Sequence, residues 1–280
     1  MKINRFGILV PNYNGAAFIG DALLKLMEGF PESKIVVVDD YSTDESLTVL
    51  KELKIFVIKR EKNGGYAASV NSGLRYFQSH GYRYVLIANS DINIKKADCA
   101  AIHKSIIQFS NDSMWGVLGF VENNDEAKFN EKISGFLFLL NLNVLDSIGY
   151  FDEKFYMYGE EQDFFRRVIS AGFMIYQTGI HVDHVGEMSP NSKLRNSWYA
   201  IRNSIYIEAK TLSIIKVFLK LVVLFAIINR VYTPKKIDFS LKRIRRPGIL
   251  IGNFFLISAV IWNSFNLFLL MVSHVKSKFR

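Results

Sequence analysis

The stretch Lys34–Asp40, KIVVVDD, decides the fold. Residues Ile35, Val36, Val37 and Val38 form an unbroken β-branched run. A strand with one wet face would alternate polar and apolar residues, whereas a continuous run fits a strand covered on both faces, as in a parallel sheet between helices. The run ends in acids, and Ser42, Thr43 and Asp44 behind it can cap a helix. Upstream, the apolar run Phe6 to Val10 ends in the turn PNYNG, before a helix-like stretch from Ala16 to Met27. Downstream, Ile55 to Ile58 leads into KNGGYAASVNSGL, a Gly-rich turn entering a helix, and YRYVLIANSD again closes on polar residues. This alternation predicts an α/β fold, with polar groups gathered where parallel strands end and ligands bind. Further on, Trp115 to Val121 and Phe136 to Leu140 read as strands. A helix follows in the acidic stretch YGEEQDFFRR, and a strand is expected near Met174 to Gln177.

Composition bounds the rest. The 280 residues suffice for one large α/β domain with an appendage. The single cysteine, Cys99, excludes a disulfide framework and a Cys-based zinc cluster. Phe6 to Val10 is too short for a signal-peptide core and stops at Pro11, so the N-terminal half is expected to stay in the cytosol. The net charge is +9, with Arg230, Lys235, Lys236, Lys242, Arg243, Arg245 and Arg246 crowded together and Lys276, Lys278 and Arg280 closing the chain. This basic stretch lies between two apolar segments, Leu212 to Tyr232 and Ile249 to Val272. That arrangement favours an anionic membrane surface over nucleic acid. Ile249 to Val272 has no charged residue and, at about 1.5 Å per residue, is long enough to cross a bilayer core of ~30 Å. Spanning, lying flat and pairing with the earlier helix are all compatible with the pattern. A domain over 1–208 and a helical, membrane-associating region over 209–280 follow.

Several residues carry chemistry. Asp39 and Asp40 can accept hydrogen bonds from a nucleoside or can cap a helix. Gly64 and Gly65 permit close backbone approach, and Asn71 can fix that loop. Asp91 directly follows an apolar strand, where a carboxylate must meet water or a cation. Glu160, Glu161 and Asp163 lie beside the aromatic residues Phe155, Tyr156 and Tyr158. Such a wall can raise a carboxylate pKa and supply a general base, while acids also suit a helix N-terminus. In HVDHVGEMS, His181 and His184 are three apart and do not face together on a strand. One imidazole joining a carboxylate on a metal is the more plausible pairing, and for His184 that requires the segment to fold over the sheet edge.

The succession VPNYNG, VVVDDYSTDES, NGGYAASVNSG, ANSD, SGF, GYFDEKFYMYGEEQDFFRR and HVGEMS resembles family 2 inverting glycosyltransferases of the GT-A fold, over about residues 5–205. It is most similar to their bacterial rhamnosyltransferase-like branch. The resemblance implies a mixed, mainly parallel central sheet, which the apolar C-terminal helices read from composition follow, together with a UDP- or dTDP-linked sugar donor and a divalent metal, Mn²⁺ or Mg²⁺. It places Pro11, Tyr13, Asp39, Asp40, Asn63, Gly65, Asn71, Asn89, Ser90 and Arg202 around the donor, and Asp91 and His184 on the metal. Glu161 falls at the base, with Glu160 beside it as the alternative. The implied acceptor is a lipid-linked or surface glycan at the cytoplasmic face of the membrane. The same features leave room for a polyprenyl-phosphate sugar synthase or a non-catalytic nucleotide-sugar-binding component. A nicotinamide dehydrogenase is disfavoured, because the first strand leads into PNYNG rather than a glycine fingerprint.

Overall fold

The computed structural model describes residues 6–109, 112, 114–122, 135–184, 193–211, 213–230, 244 and 248–278. The chain divides into two compact units, Met1–Tyr156 with Glu160–Gly186, and Met157–Gly159 with Glu187–Arg280. Strands and helices alternate through the first unit: β1 (Phe6–Asn12), α1 (Ala16–Gly29), β2 (Lys34–Asp39), α2 (Ser46–Glu52), β3 (Phe56–Lys59), α3 (Tyr66–Ser79) and β4 (Tyr84–Ala88). They continue with β5 (Ile92–Asn93), α4 (Lys96–Phe109), β6 (Trp115–Glu122), β7 (Leu137–Asn141), α5 (Val144–Ile148), a 3₁₀ turn (Glu153–Phe155), α6 (Glu160–Ser170) and β8 (Met174–His184).

The strands form one sheet in the order β3-β2-β1-β4-β7-β6-β8-β5. β3, β2, β1 and β4 run parallel, as do β6 and β8, while β7 is antiparallel to β4 and β6, and β5 to β8. The fold is therefore α/β with a mixed, mainly parallel sheet. Alternate residues of the apolar runs enter two separate cores. Ile8, Val10, Ile35, Val37 and Leu86 pack with Ile19, Leu23 and Leu26 of α1 and Ile102 of α4. Leu9, Val36, Val38, Val85 and Ile87 pack with Val70, Leu74 and Phe77 of α3 and Phe164 of α6. That double burial explains why these strands lack alternation.

One expectation needs extending. The strand foreseen near Met174 to Gln177 runs on to His184, so His184 stands on a strand rather than on a folded-over loop. β8 pairs with β6 and then with β5, and this pairing carries it past the interruption at Thr178 and Gly179.

The second unit is helical, with α7 (Lys193–Ala209), α8 (Ile214–Ile228) and α9 (Gly248–Lys278). Ile201, Ile205, Leu224, Ile228, Leu256 and Ala259 form its core. α7, read from the sequence as part of 1–208, belongs to this unit. Lys2, Arg5, Glu187, Lys235, Lys236, Lys242, Arg243, Arg245, Arg246 and Arg280 lie outside the described residues, as do the side chains of Lys276 and Lys278.

Candidate active site

The carboxyl ends of β1, β2 and β4 share one edge of the sheet, and two turns are stitched together there. Asn12 Nδ2 donates to Asp39 Oδ1 (3.0 Å) and Ser42 Oγ (3.2 Å), and Ser42 N donates to Asp39 Oδ2 (3.0 Å). Asp44 accepts from Ala16 N through Oδ2 (2.9 Å) and from Ser46 N through Oδ1 (3.0 Å), joining the starts of α1 and α2. Pro11 lies in β1 opposite Val38, and Tyr13 projects from the turn, 45% exposed.

Asp40 anchors the Gly-rich turn. Its carboxylate accepts from Gly64 N (3.1 Å) and Gly65 N (2.8 Å) and pairs with Arg60 Nε (3.3 Å). Burial raises the Asp40 pKa, and the Gly64 amide, Arg60 and the Gly65 amide only partly offset it. Asn63 Oδ1 accepts from Gly65 N (3.1 Å) and from the Tyr156 hydroxyl (2.8 Å). Gly65 has φ +84°, and a Cβ there would meet Tyr156 O at 2.1 Å, so no other residue fits. Asn71 acts elsewhere than in this turn. Its amide donates to Phe151 O (2.9 Å) and Glu153 Oε1 (2.9 Å) and accepts from Phe151 N (2.9 Å), tying α3 to the segment before α6.

Asn89, Ser90 and Asp91 follow β4. Asn89 N donates to Phe136 O (2.8 Å), while Asn89 Oδ1 is buried with no hydrogen-bond partner among the described residues. A Cβ added at Gly15 would lie 3.2 Å from the Ser90 hydroxyl, so Ser90 lies against the start of α1. Asp91 Oδ1 lies 3.0 Å from His184 Nε2. The β5–β8 register produces this pair by setting Ile92 opposite His184. The Phe136 ring stacks on the His184 imidazole, with centroids 5.2 Å apart.

Glu160 opens α6 and is buried with Asp163, which pairs with Arg167 (3.0 Å) one turn on. Glu161 points elsewhere, since a Cβ on Gly135 would lie 3.0 Å from Glu161 Oε1. Gly135 immediately precedes Phe136, so the contacts run from Glu161 through Gly135 and Phe136 to His184 and Asp91. Tyr66 closes this corner, its hydroxyl donating to Gly135 O (3.1 Å). Burial, then the charges of Glu161 and Glu160, push the Tyr66 pKa well above the usual phenol value. The main chain entering α6 carries positive φ at Tyr156 (63°), Tyr158 (66°) and Gly159 (95°). Non-glycine residues held this way store roughly 1–3 kcal/mol each and cluster at functional sites.

Tyr66, Arg60, Asn12 and the Phe136 ring had no role in the sequence reading. Asn12, Tyr66 and Phe136 lie inside the motifs PNYNG, NGGYAASVNSG and SGF, whereas Arg60 precedes the Gly-rich motif and carried no local signal. Arg202 belongs to the second unit, where its guanidinium faces the rings of Trp262 (4.3 Å), Tyr199 (4.7 Å) and Trp198 (5.0 Å), and its Nε donates to Asn203 Oδ1 (2.7 Å).

Among the described residues, no three His, Cys, Asp or Glu side chains gather as metal ligands. Asp91 and His184 nevertheless fit a cation that takes few protein ligands and completes its shell with substrate phosphates and water. Asn89 Oδ1, two residues before Asp91 in the chain, is a buried oxygen with no hydrogen-bond partner among the described residues, and an imidazole ligand leans toward Mn²⁺.

Residues 7–167 match the model of glycosyl transferase family 2. The glycosyltransferase GlyA of Streptococcus pneumoniae is 25% identical over 75% of the chain, which spans only 30% of that protein. Among solved structures, the mannosyltransferase PcManGT from Pyrobaculum calidifontis, in complex with GDP-Man and Mn²⁺, aligns over 94% of this chain and 88% of its own. Its TM-score is 0.61 at 14% identity. Staphylococcus aureus TarS (residues 1–349) aligns over 91% of this chain and 81% of its own, with TM-score 0.57 and 19% identity. Fold, sheet edge and family match agree: this chain belongs to glycosyl transferase family 2 and has the GT-A fold.

Proposed function

We propose that this enzyme moves a sugar, with inversion, from a UDP- or dTDP-linked donor to a hydroxyl of a lipid-linked or surface glycan at the cytoplasmic face of a membrane. A rhamnose donor rests on resemblance alone. The observation that carries the reading is the Asp91–His184 pair at the ligand-binding sheet edge, joined through Phe136 and Gly135 to the Glu161 carboxylate. The GDP-Man and Mn²⁺ bound by PcManGT support a nucleotide sugar and a divalent metal.

Each residue then has a task. Asp39 is held by Asn12 and Ser42, yet a carboxylate offers about four lone-pair sites, so two remain for a ribose hydroxyl or base N–H. Asp40 and Asn63 hold the Gly64–Gly65 turn, which brings main chain close to the donor. Asp91 and His184 would hold the cation, which when bound neutralises charge on the diphosphate. Glu161 takes the proton of the acceptor hydroxyl. The acceptor oxygen then bonds the anomeric carbon opposite the diphosphate, and the carbon–oxygen bond to the diphosphate breaks with its electron pair leaving on oxygen.

A donor screen tests this, using the full chain, Mn²⁺ and a panel of UDP-, dTDP- and GDP-sugars, scored by binding and slow donor hydrolysis. With the donor found, Glu161→Gln and Asp91→Ala should each lower transfer by about 10²-fold or more with the circular dichroism unchanged. Near-normal rates in either would refute the assigned role. Transfer to polyprenyl phosphate that survives Glu161→Gln would favour the lipid-phosphate synthase, whose acceptor needs no deprotonation.

A further inference from the structure

Charge is distributed unequally between the two units. Residues 187–280 hold sixteen Lys and Arg against three Asp and Glu, whereas the rest of the chain holds nineteen against twenty-three. Neither α8 nor α9 contains an acid. Their outward sides are nonetheless apolar: Ile215, Phe218 and Val222 on α8, and Leu250, Ile257 and Phe265 on α9, are all exposed. Between the helices runs a groove of about 430 Å³ with wholly apolar walls, from Leu221, Val222 and Phe225 to Leu256, Ile257 and Ile261. Its size falls among ordinary ligand sites of roughly 300–1,000 Å³.

The opposite side of α9 is committed. Asn253 and Asn229 exchange amide hydrogen bonds (3.0 and 3.1 Å), Trp198 Nε1 donates to Ser258 Oγ (2.7 Å), and Asn263 Nδ2 donates to Arg202 O (3.0 Å). These contacts bind α9 between Asn253 and Asn263 to α7 and to the end of α8. Were α9 to cross a bilayer, α7 would follow with Arg195, Arg202, Glu208 and Lys210, and charges in the hydrocarbon are expensive. By length and apolarity alone Gly248–Asn266 could cross a membrane. Its partners argue otherwise.

We propose that α8 and α9 lie flat in one leaflet of an anionic bilayer, outward faces among the acyl chains, with a phospholipid chain seated in the groove between them. This rests on the membrane reading above and adds its mode. On α8, Lys220 is paired with Glu208 (3.7 Å), so Lys216 is the lysine left to meet headgroup phosphates, and the basic excess of the unit selects anionic lipid.

The test uses the full chain with vesicles of phosphatidylcholine, with and without about one-third phosphatidylglycerol. The anionic vesicles should bind roughly tenfold or more tightly, the increment expected from one or two basic residues near lipid. Environment-sensitive labels on Leu250→Cys, Ile257→Cys and Phe265→Cys, Cys99 being buried, should report one common shallow depth against lipid-borne quenchers. A spanning helix would instead separate the first and last by about 22 Å along the membrane normal. The double change Phe218→Glu and Ile257→Glu should cut vesicle binding at least ~10-fold while donor hydrolysis stays normal. Graded depths, or equal binding to both vesicles, would overturn the proposal. Either result leaves the transferase reading intact, because donor hydrolysis without vesicles tests that reading separately.

Discussion

An added methyl at Gly135 would press on Glu161 Oε1 from 3.0 Å. Gly135→Ala should therefore move Glu161, the proposed base, rather than unfold the protein. Transfer should fall roughly tenfold or more, chiefly in kcat, since small misplacements of reacting groups are costly, with little change in melting temperature. Tyr66 supports the same corner, and Tyr66→Phe removes its bond to Gly135 O at a cost of about 1 kcal/mol. Because the folded-state pKa of Tyr66 is raised, its contribution to stability is complete below the ordinary phenol pKa of about 10. That contribution is lost as pH rises through the folded-state value. Urea midpoints measured from neutral to strongly alkaline pH should fall less in Tyr66→Phe than in the parent. Asp91 was legible in the sequence because a carboxylate ending an apolar strand needs water or a cation. Its proximity to His184 was not, since 93 positions separate them and only the β5–β8 register unites them. The sequence likewise left Glu160 and Glu161 open, because the choice depends on where α6 begins and which side of it meets Gly135.

Asp44 shows how one side chain organises two elements. It accepts from the first residues of both α1 and α2, so Asp44→Ala should lower stability by about 1 kcal/mol, as for a lost helix cap. Burial would raise its pKa, but hydrogen bonds from the Ser46 hydroxyl, the Ala16 amide and the Ser46 amide outweigh that and lower it. The stabilisation is thus present above the unfolded-state pKa and is lost as pH falls through the lower folded-state value. Acid unfolding followed by circular dichroism should show a shallower acid limb in Asp44→Ala than in the parent. Helix capping by this turn was readable from SerThrAsp after the strand, but the reach back to α1 was not, because it needs β1 and β2 side by side. Apolar runs identified β1, β2 and β4, that of β2 being continuously β-branched. β8 read short because Thr178 and Gly179 break its pattern, and its continuation comes from pairing with β6 and β5.

At the scale of the molecule, the sequence placed the change of character near Lys210, where hydropathy shifts, while the compact units divide after Gly186. α7 explains the difference. Its charged and polar residues resemble those of a soluble domain, yet Ala200, Ile201 and Ile205 pack within the helical unit. The catalytic account depends on distant segments of the first unit meeting at one sheet edge, so that Asp91 and His184 grip the cation while Glu161 serves the acceptor. Calorimetric titration of the cognate donor, with Mn²⁺ and with EDTA, tests this most directly. The wild-type chain should bind roughly tenfold or more tightly with Mn²⁺, Asp91→Ala and His184→Ala should lose that gain, and Glu161→Gln should keep it while transfer disappears. Undiminished Mn²⁺ enhancement in Asp91→Ala, or normal transfer by Glu161→Gln, would contradict the account.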